Sequence, residues 1–309
     1  MSYRLLSYKV RGVPRAGILV DDIVFDAAAI TSDKAHVSIL GVLEDWDRTR
    51  RIFERAARLI AAGKNRAKGT AFKRVRLLAP VLYPGAVYCA GPNYSDHMQE
   101  IERVYNLPPE DPRALGLKPW HFMKVSRAAV VGPAATVALP AYSQKVDWEI
   151  ELVAVIGRRA KNVPVQNALS YVAGYTIAND LSARDAFRRE QLQEGSPTKL
   201  DWVSQKCFDG ACPVGPWIVP ARMIAEPQHL AMKLWVNDTL MQDSSTEKMI
   251  FSVAEQVAHL STRATLYPGD LVLTGTPAGV GMARNMFLKP GDSLRLWIER
   301  IGELRHRVV

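Results

Sequence analysis

Residues 145–157 read Lys-Val-Asp-Trp-Glu-Ile-Glu-Leu-Val-Ala-Val-Ile-Gly, KVDWEIELVAVIG, and the second half is an aliphatic run closed by a glycine. Such a run, rich in β-branched residues, predicts a strand entering the core. Asp147, Glu149 and Glu151 are spaced by two, so on a strand their carboxylates share one face. Like charges at the buried end of a strand are costly unless something positive sits among them. Downstream, VAGYTIAND (172–180) is a second buried-strand pattern that ends in another acid, Asp180. Two same-face glutamates and an aspartate at the end of a neighbouring strand offer three oxygen ligands, a donor set suited to magnesium, manganese or calcium rather than zinc. A buried ion network with Arg158, Arg184 or lysines accounts for the same spacing, and spacing alone leaves both readings open.

Around this stretch the chain is ordinary in composition. Its 309 residues are 48% hydrophobic and 23% charged, enough for one large domain or two unequal ones with a substantial core. The opening MSYRLLSYKVRG is too basic and its apolar run too short for a secretory signal, and the apolar stretch 128–142 is broken by Gly132, Pro133 and Pro140. A soluble, cytoplasmic protein is expected, with no membrane span. Cys89, Cys207 and Cys212 show no CxxC spacing, which argues against a disulfide framework or structural zinc and predicts buried free thiols.

The net charge of +9 suggests nucleic acid until it is located. Residues 1–80 hold 16 Lys/Arg against 8 Asp/Glu, mostly within 48–76. There Ile52, Phe53, Ala56, Leu59 and Ile60 recur at helical spacing, so the basic residues coat the solvated face of an amphipathic helix and no nucleic-acid partner is expected. Alternation in YRLLSYKV and GILVDDIVFDA predicts hairpin strands before that helix, and LLAPVLYPG reads as a linker. A small N-terminal domain of residues 1–80 and a larger domain of residues 81–309 follow. The larger one is predominantly β: Pro268-Gly269-Asp270 and Pro290-Gly291-Asp292 each open an alternating segment, and Asn237-Asp238 is a hairpin turn between two strands. GTPAGVG (275–281) lacks the lysine of a P-loop, so no nucleotide site is expected.

Two further clusters carry chemistry. In YCAGPNYSDHMQEIE a strand meets a turn and then a helix that Ser95 or Asp96 can cap. His97 and Glu100 share a face of that helix, as a general base and its orienting carboxylate would, although such a pair also occurs as a surface contact. The Pro-rich segment after it, to Phe122, has the polarity of a mobile lid. Lys206, in QKCFDGACPVGPW, either neutralises a developing oxyanion or extends to solvent.

In order along the chain, GPNYSDHMQE, HFMK, VDWEIELVAVIG, VAGYTIANDLSARD, KCFDGACPVGPW, NDTLMQDSSTEKMIF and LYPGDLVLTGTPAGVG resemble the motifs of the fumarylacetoacetate hydrolase family, over residues 86–309. The resemblance implies an α+β fold, predominantly β, with a mixed β-sandwich or β-roll catalytic domain, usually a homodimer. It implies one divalent cation (Mg2+ or Mn2+, with Ca2+ also in reach) on Glu149, Glu151 and Asp180, with Asp147 no ligand. His97 and Glu100 match the catalytic dyad, and Lys206 matches the lysine facing the reacting carbonyl. Arg184, Gln242 and Thr276 match positions near substrate. Phe187 stands where relatives commonly carry a glutamine, which points to a less polar tail on the substrate. The substrate class implied is a small 2-oxo or 2,4-dioxo acid, cleaved at a C–C bond through a metal-stabilised enolate. Isomerisation or decarboxylation of 2-hydroxy-dienedioates or oxaloacetate on the same site is the alternative. A catalytically silent binding homologue is the alternative from another class.

Overall fold

The computed structural model describes residues 2–64 and 67–309; Met1, and Asn65 and Arg66 within the basic stretch 48–76, lie outside the described residues. Two sheets form the body. The main run of the larger has the spatial order Thr70–Ala71, Ile23–Asp26, Val13–Val20, Arg4–Val10, Cys212–Pro220, Val172–Asn179, Ile150–Ile156, Leu271–Leu273, Val87–Ala90 and His121–Lys124. Neighbours along this run are antiparallel except Leu271–Leu273 and Val87–Ala90, which run parallel. The hairpin strands of residues 1–80 extend this sheet, since Leu5 pairs with Ile218.

Ile150–Ile156 lies near the middle and is buried along its whole length. A strand covered on both faces has no solvent side, which explains a continuous apolar run in place of alternation. Ser293–Ile298 shows the contrasting pattern, every second residue buried. It belongs to the five-stranded sheet ordered Thr239–Ser245, Ala231–Val236, Ser293–Ile298, Gly302–Val308 and Thr136–Val137. That sheet packs against Cys212–Pro220 and Val172–Asn179, where Leu294, Leu296, Ile298 and Leu304 join Tyr175 and Ile177 in one apolar core. The expected mixed β-sandwich is therefore present. Asn237, at φ +51°, takes the left-handed turn position of the Ala231–Val236/Thr239–Ser245 hairpin.

Helices cover the sheets. Val253–Arg263 starts in a capping box, Ser252 accepting from the Glu255 amide while Glu255 accepts from the Ser252 amide. The basic helix Trp46–Ala61 buries Trp46, Thr49, Phe53, Ala56 and Ala57. Its buried stripe is rotated from the one expected: Ala57 turns inward and Leu59 is 37% exposed. Trp46, Thr49, Phe53, Ala56 and Ala57 stand at i, i+3, i+7, i+10 and i+11, one helical face on which Leu59 does not fall. Much of its outer charge is internally matched, by Arg48 with Asp33 and Asp45, Arg50 with Glu54, and Arg158 with Asp47. Cys89 and Cys212 are buried free thiols, whereas Cys207 is only half-buried. Among the described residues, no helix is long and apolar enough to cross a membrane.

Candidate active site

The ladder that pairs Ile150 with Asn179 places Glu151 beside the end of Val172–Asn179, so Asp180 emerges next to it. Glu149 sits where the strand is interrupted. Its amide donates to Asn179 Oδ1 at 2.9 Å and its carbonyl accepts from the Asp180 amide at 2.9 Å. One carboxylate oxygen from each of Glu149, Glu151 and Asp180 falls within 4.8 Å of the others, and all three residues are buried.

Cations converge on the same oxygens. Lys206 Nζ donates to Glu149 Oε2 at 3.0 Å and to Asp180 Oδ2 at 2.7 Å. Arg184 donates to Glu149 Oε1 at 2.5 Å and to Asp147 Oδ2 at 2.9 Å. Lys124, fully buried, donates to Asp180 Oδ1 at 2.5 Å and to the Leu181 carbonyl at 2.9 Å. Burial works against the Glu149 carboxylate, yet Lys206 and Arg184 outweigh it and hold its carboxyl well below the usual range. Burial likewise opposes the Lys206 ammonium, which Asp180 and Glu149 keep charged. Glu151 is on the other side of this balance: burial, reinforced by Asp180 and Glu149, pushes its carboxyl well up. Three hard oxygen donors, of which Glu151 is held back from ionising by burial and its acidic neighbours, fit a divalent cation, whose charge would relieve that crowding.

The glycine-rich loop 275–281 binds the acids with its backbone. Gly275 N donates to Glu151 Oε2 at 2.6 Å, Gly279 N to Glu100 Oε1 at 3.0 Å, and Gly281 N to Asp147 Oδ1 at 2.6 Å. Gly279, at φ +101°, lies so close to the next strand that a Cβ would stand 2.2 Å from the Met241 carbonyl oxygen. Asp147 accepts from Gly281, Met282 and Trp148 amides as well as Arg184, so it ties this loop to the strand rather than facing the pocket.

His97 and Glu100 lie on the helix Ser95–Tyr105, both buried, with His97 Nδ1 at 3.1 Å from Glu100 Oε2. The expected cap at Ser95 or Asp96 is absent: the cap position falls on Tyr94, whose side chain makes no capping bond. Asp96 is drawn away to Ser244, Lys248 and the Ala278 amide, contacts that fasten the helix over the pocket. Asn93 fixes the turn before it, donating to the Phe251 and Thr274 carbonyls at 3.0 and 2.9 Å and accepting from the Phe251 amide at 2.9 Å. Asn93→Ala strands the Phe251 amide and leaves the Phe251 and Thr274 carbonyls to Gln256 alone, which donates to them at 3.0 and 3.5 Å, and the expected loss is about 1 to 3 kcal/mol of unfolding free energy, read by urea denaturation.

One pocket of about 100 Å³ is lined by His97, Glu149, Glu151, Arg184, Lys206 and Thr276 together with apolar groups. Among the described residues, none before Ala90 lines it. Two of the expected substrate-side residues do not line it. Gln242 is fully buried behind Thr276, accepting from the Ile150 amide at 3.0 Å and donating to Thr276 Oγ1 and the Pro277 carbonyl. Phe187 stands edge-on to Trp202 at 4.6 Å between ring centroids, and of these two rings Trp202 is the one that lines the pocket. Lys124, Trp202 and Gln205 were not singled out from sequence. The pairing of Lys124 with Asp180 carries no local signal, whereas Trp202, Gln205 and Lys206 stand at i, i+3 and i+4, the spacing of one helical face.

This constellation can be set beside known proteins. Residues 86–309 match the family model "Fumarylacetoacetate (FAA) hydrolase C-terminal". The chain belongs to the fumarylacetoacetate hydrolase family. Within that family it is 42% identical to a mitochondrial oxaloacetate tautomerase of Bos taurus over 238 residues, 76% of this chain and 70% of that protein. It is 41% identical to the 2,4-didehydro-3-deoxy-L-rhamnonate hydrolase of Sphingomonas sp. (strain SKA58) over 232 residues, 74% of this chain and 75% of that protein. Among solved structures it resembles the maleylpyruvate hydrolase of Sphingobium sp. SYK-6 in complex with manganese (II) ion and pyruvate. The TM-score is 0.76 at 28% identity, covering 99% of this chain and 98% of that one. The family members named here are enzymes, with hydrolase and tautomerase activities both represented.

Proposed function

We propose that this protein is a divalent-cation-dependent hydrolase that cleaves a C–C bond in a small 2,4-dioxo acid of the acylpyruvate class, with Mg2+ or Mn2+ on Glu149, Glu151 and Asp180. The observation that carries the reading is one pocket lined both by His97, paired to Glu100, and by two carboxylates of the acidic triad. When bound there, the cation supplies a Lewis acid for the carboxylate and adjoining keto oxygens of a 2-oxo acid. With Nδ1 held by Glu100, His97 has Nε2 left to take a proton from water. The hydroxide so formed adds to the distal carbonyl, and Lys206, on the same pocket wall, offsets the charge on the resulting oxyanion. The C–C bond then breaks, its electron pair passing to the 2-oxo acid fragment, and His97 returns the proton there. The products are the free acid and pyruvate. Glu100 itself is held by the Gly279 amide, which fixes the imidazole plane.

A second reading, enol–keto interconversion of oxaloacetate, is favoured by the 42% identical relative and by a pocket of about 100 Å³, small enough to suit short acids. Loss of enol absorbance from a panel of acylpyruvates separates the two. The expected result is chelator-sensitive loss with release of pyruvate and the free acid. No release from any member, alongside rapid interconversion of oxaloacetate, would replace hydrolysis with tautomerisation.

A further inference from the structure

Gln205 is 4% exposed, lines the pocket, and its Oε1 is buried with no hydrogen-bond partner. A buried carbonyl oxygen left unpaired is costly, and in the wall of a pocket it is a point that a donor on a ligand can complete. Its place on the helix Trp202–Lys206 is informative. Lys206, one residue on, is held at the acidic triad, whereas Trp202, three residues back, belongs to an aromatic cluster with Trp120, Phe122 and Phe187. Gln205 therefore stands between the charged end of the pocket and its aromatic wall.

The remaining lining limits what this amide meets. The guanidinium and ammonium that line the pocket, Arg184 and Lys206, are both already engaged by carboxylates, and the neighbouring surfaces are Ile101, Met282, Phe122 and Trp202. A second carboxylate on the tail of a substrate would have to compete with Asp147, Glu149 and Asp180 for these two cations, a competition that a neutral group does not enter. An unpaired acceptor instead calls for a donor, and a neutral hydroxyl is the smallest group that supplies one.

We infer that Gln205 is a specificity-determining residue that accepts a hydrogen bond from a hydroxyl on the tail of the substrate, so that the preferred class is an uncharged, hydroxyl-bearing 2-oxo or 2,4-dioxo acid rather than a dicarboxylate. This rests on the reading of the site as one for 2-oxo acids. The amide makes the class narrower than the metal site alone, which meets only the 2-oxo acid end.

The test is calorimetric binding of a matched pair, 2-oxopentanoate and 4-hydroxy-2-oxopentanoate, to the Mn2+-loaded protein and to its Gln205→Met variant. The expected result is about 10-fold tighter binding of the hydroxylated acid by the wild type, falling to near parity in the variant. A second measurement is thermal unfolding of the ligand-free proteins, where the variant is expected to unfold at or above the wild-type temperature. A clear drop would make Gln205 a structural residue and overturn the inference. Equal binding of the two acids by the wild type, or a preference that survives Gln205→Met, would overturn it while leaving the 2-oxo acid reading intact. Binding of neither acid by the wild type would remove both.

Discussion

His97→Ala is expected to lower kcat on acylpyruvates by about 10²- to 10⁴-fold while changing KM far less, the signature of a group that acts in the transition state. His97 contacts Glu100 through Nδ1 at 3.1 Å, and Glu100 is anchored by the Gly279 amide. The imidazole is thus oriented by a carboxylate that is itself fixed to the loop 275–281. Removing the ring costs the acidic triad and Lys206 no hydrogen bond, because none of them is bonded to His97. Cation binding is therefore expected to survive, which separates loss of a proton carrier from collapse of the site. Glu100→Gln is the matching control. It keeps a similar shape but removes the charge that stabilises a protonated imidazole, so its effect on kcat should lie between those of the wild type and His97→Ala. Unchanged turnover in His97→Ala would sink the hydrolytic assignment. Loss of hydrolysis with retained oxaloacetate interconversion would show that the metal end works without the base.

The features legible in the sequence are those written in local spacing. The i, i+2 placement of Glu149 and Glu151 puts both acids on one face, and the acid closing the next strand pattern falls beside them because adjacent antiparallel strands pair there. The i, i+3 placement of His97 and Glu100 brought the two side chains together on one helix. What escaped depends on contacts between distant segments. Gln242 reaches the Ile150 amide across 92 residues, and nothing near position 242 shows that its amide braces a strand start instead of facing a ligand. The loop 275–281, read as lacking a nucleotide motif, donates to Glu151, Glu100 and Asp147 through backbone N–H groups, which side-chain identity does not encode. The buried stripe of Trp46–Ala61 shifted because hydrophobicity ranks Leu59 above Ala57, whereas burial follows the helical face through Trp46, Phe53 and Ala57, on which Leu59 does not fall. The two readings left open by the acidic spacing, an ion network and a cation site, call on the same oxygens: Arg184, Lys206 and Lys124 pair with Glu149 and Asp180, and Glu151 is the surplus acid, kept from ionising by its neighbours.

Glu151→Gln follows from that surplus and is expected to weaken divalent-cation binding by roughly 100-fold or more, since changes merely behind a metal's ligands already cost 10- to 100-fold. The replacement is nearly isosteric, and its carbonyl oxygen keeps an acceptor for the Gly275 amide now bonded to Glu151 Oε2 at 2.6 Å. The shape of the site is preserved while an acid that a cation would draw into its charged form becomes an amide that cannot ionise. The effect on stability should then depend on the cation. In its absence the variant unfolds at or above the wild-type temperature, because a carboxyl crowded by Asp180 and Glu149 has been replaced by a neutral group. In its presence the wild type gains about 2.7 kcal/mol at a cation concentration 100 times its Kd, and the variant gains about 0.4 kcal/mol or less at that concentration. Thermal scans with Mn2+ or Mg2+, with and without chelator, read both effects without any assumption about substrate, and kcat should fall alongside the lost stabilisation. Equal cation-induced stabilisation in the two proteins would show that Glu151 is no ligand. The acidic cluster would then act through its lysines and arginine as a buried ion network, in which removing one partner leaves the others unpaired and lowers stability with or without metal.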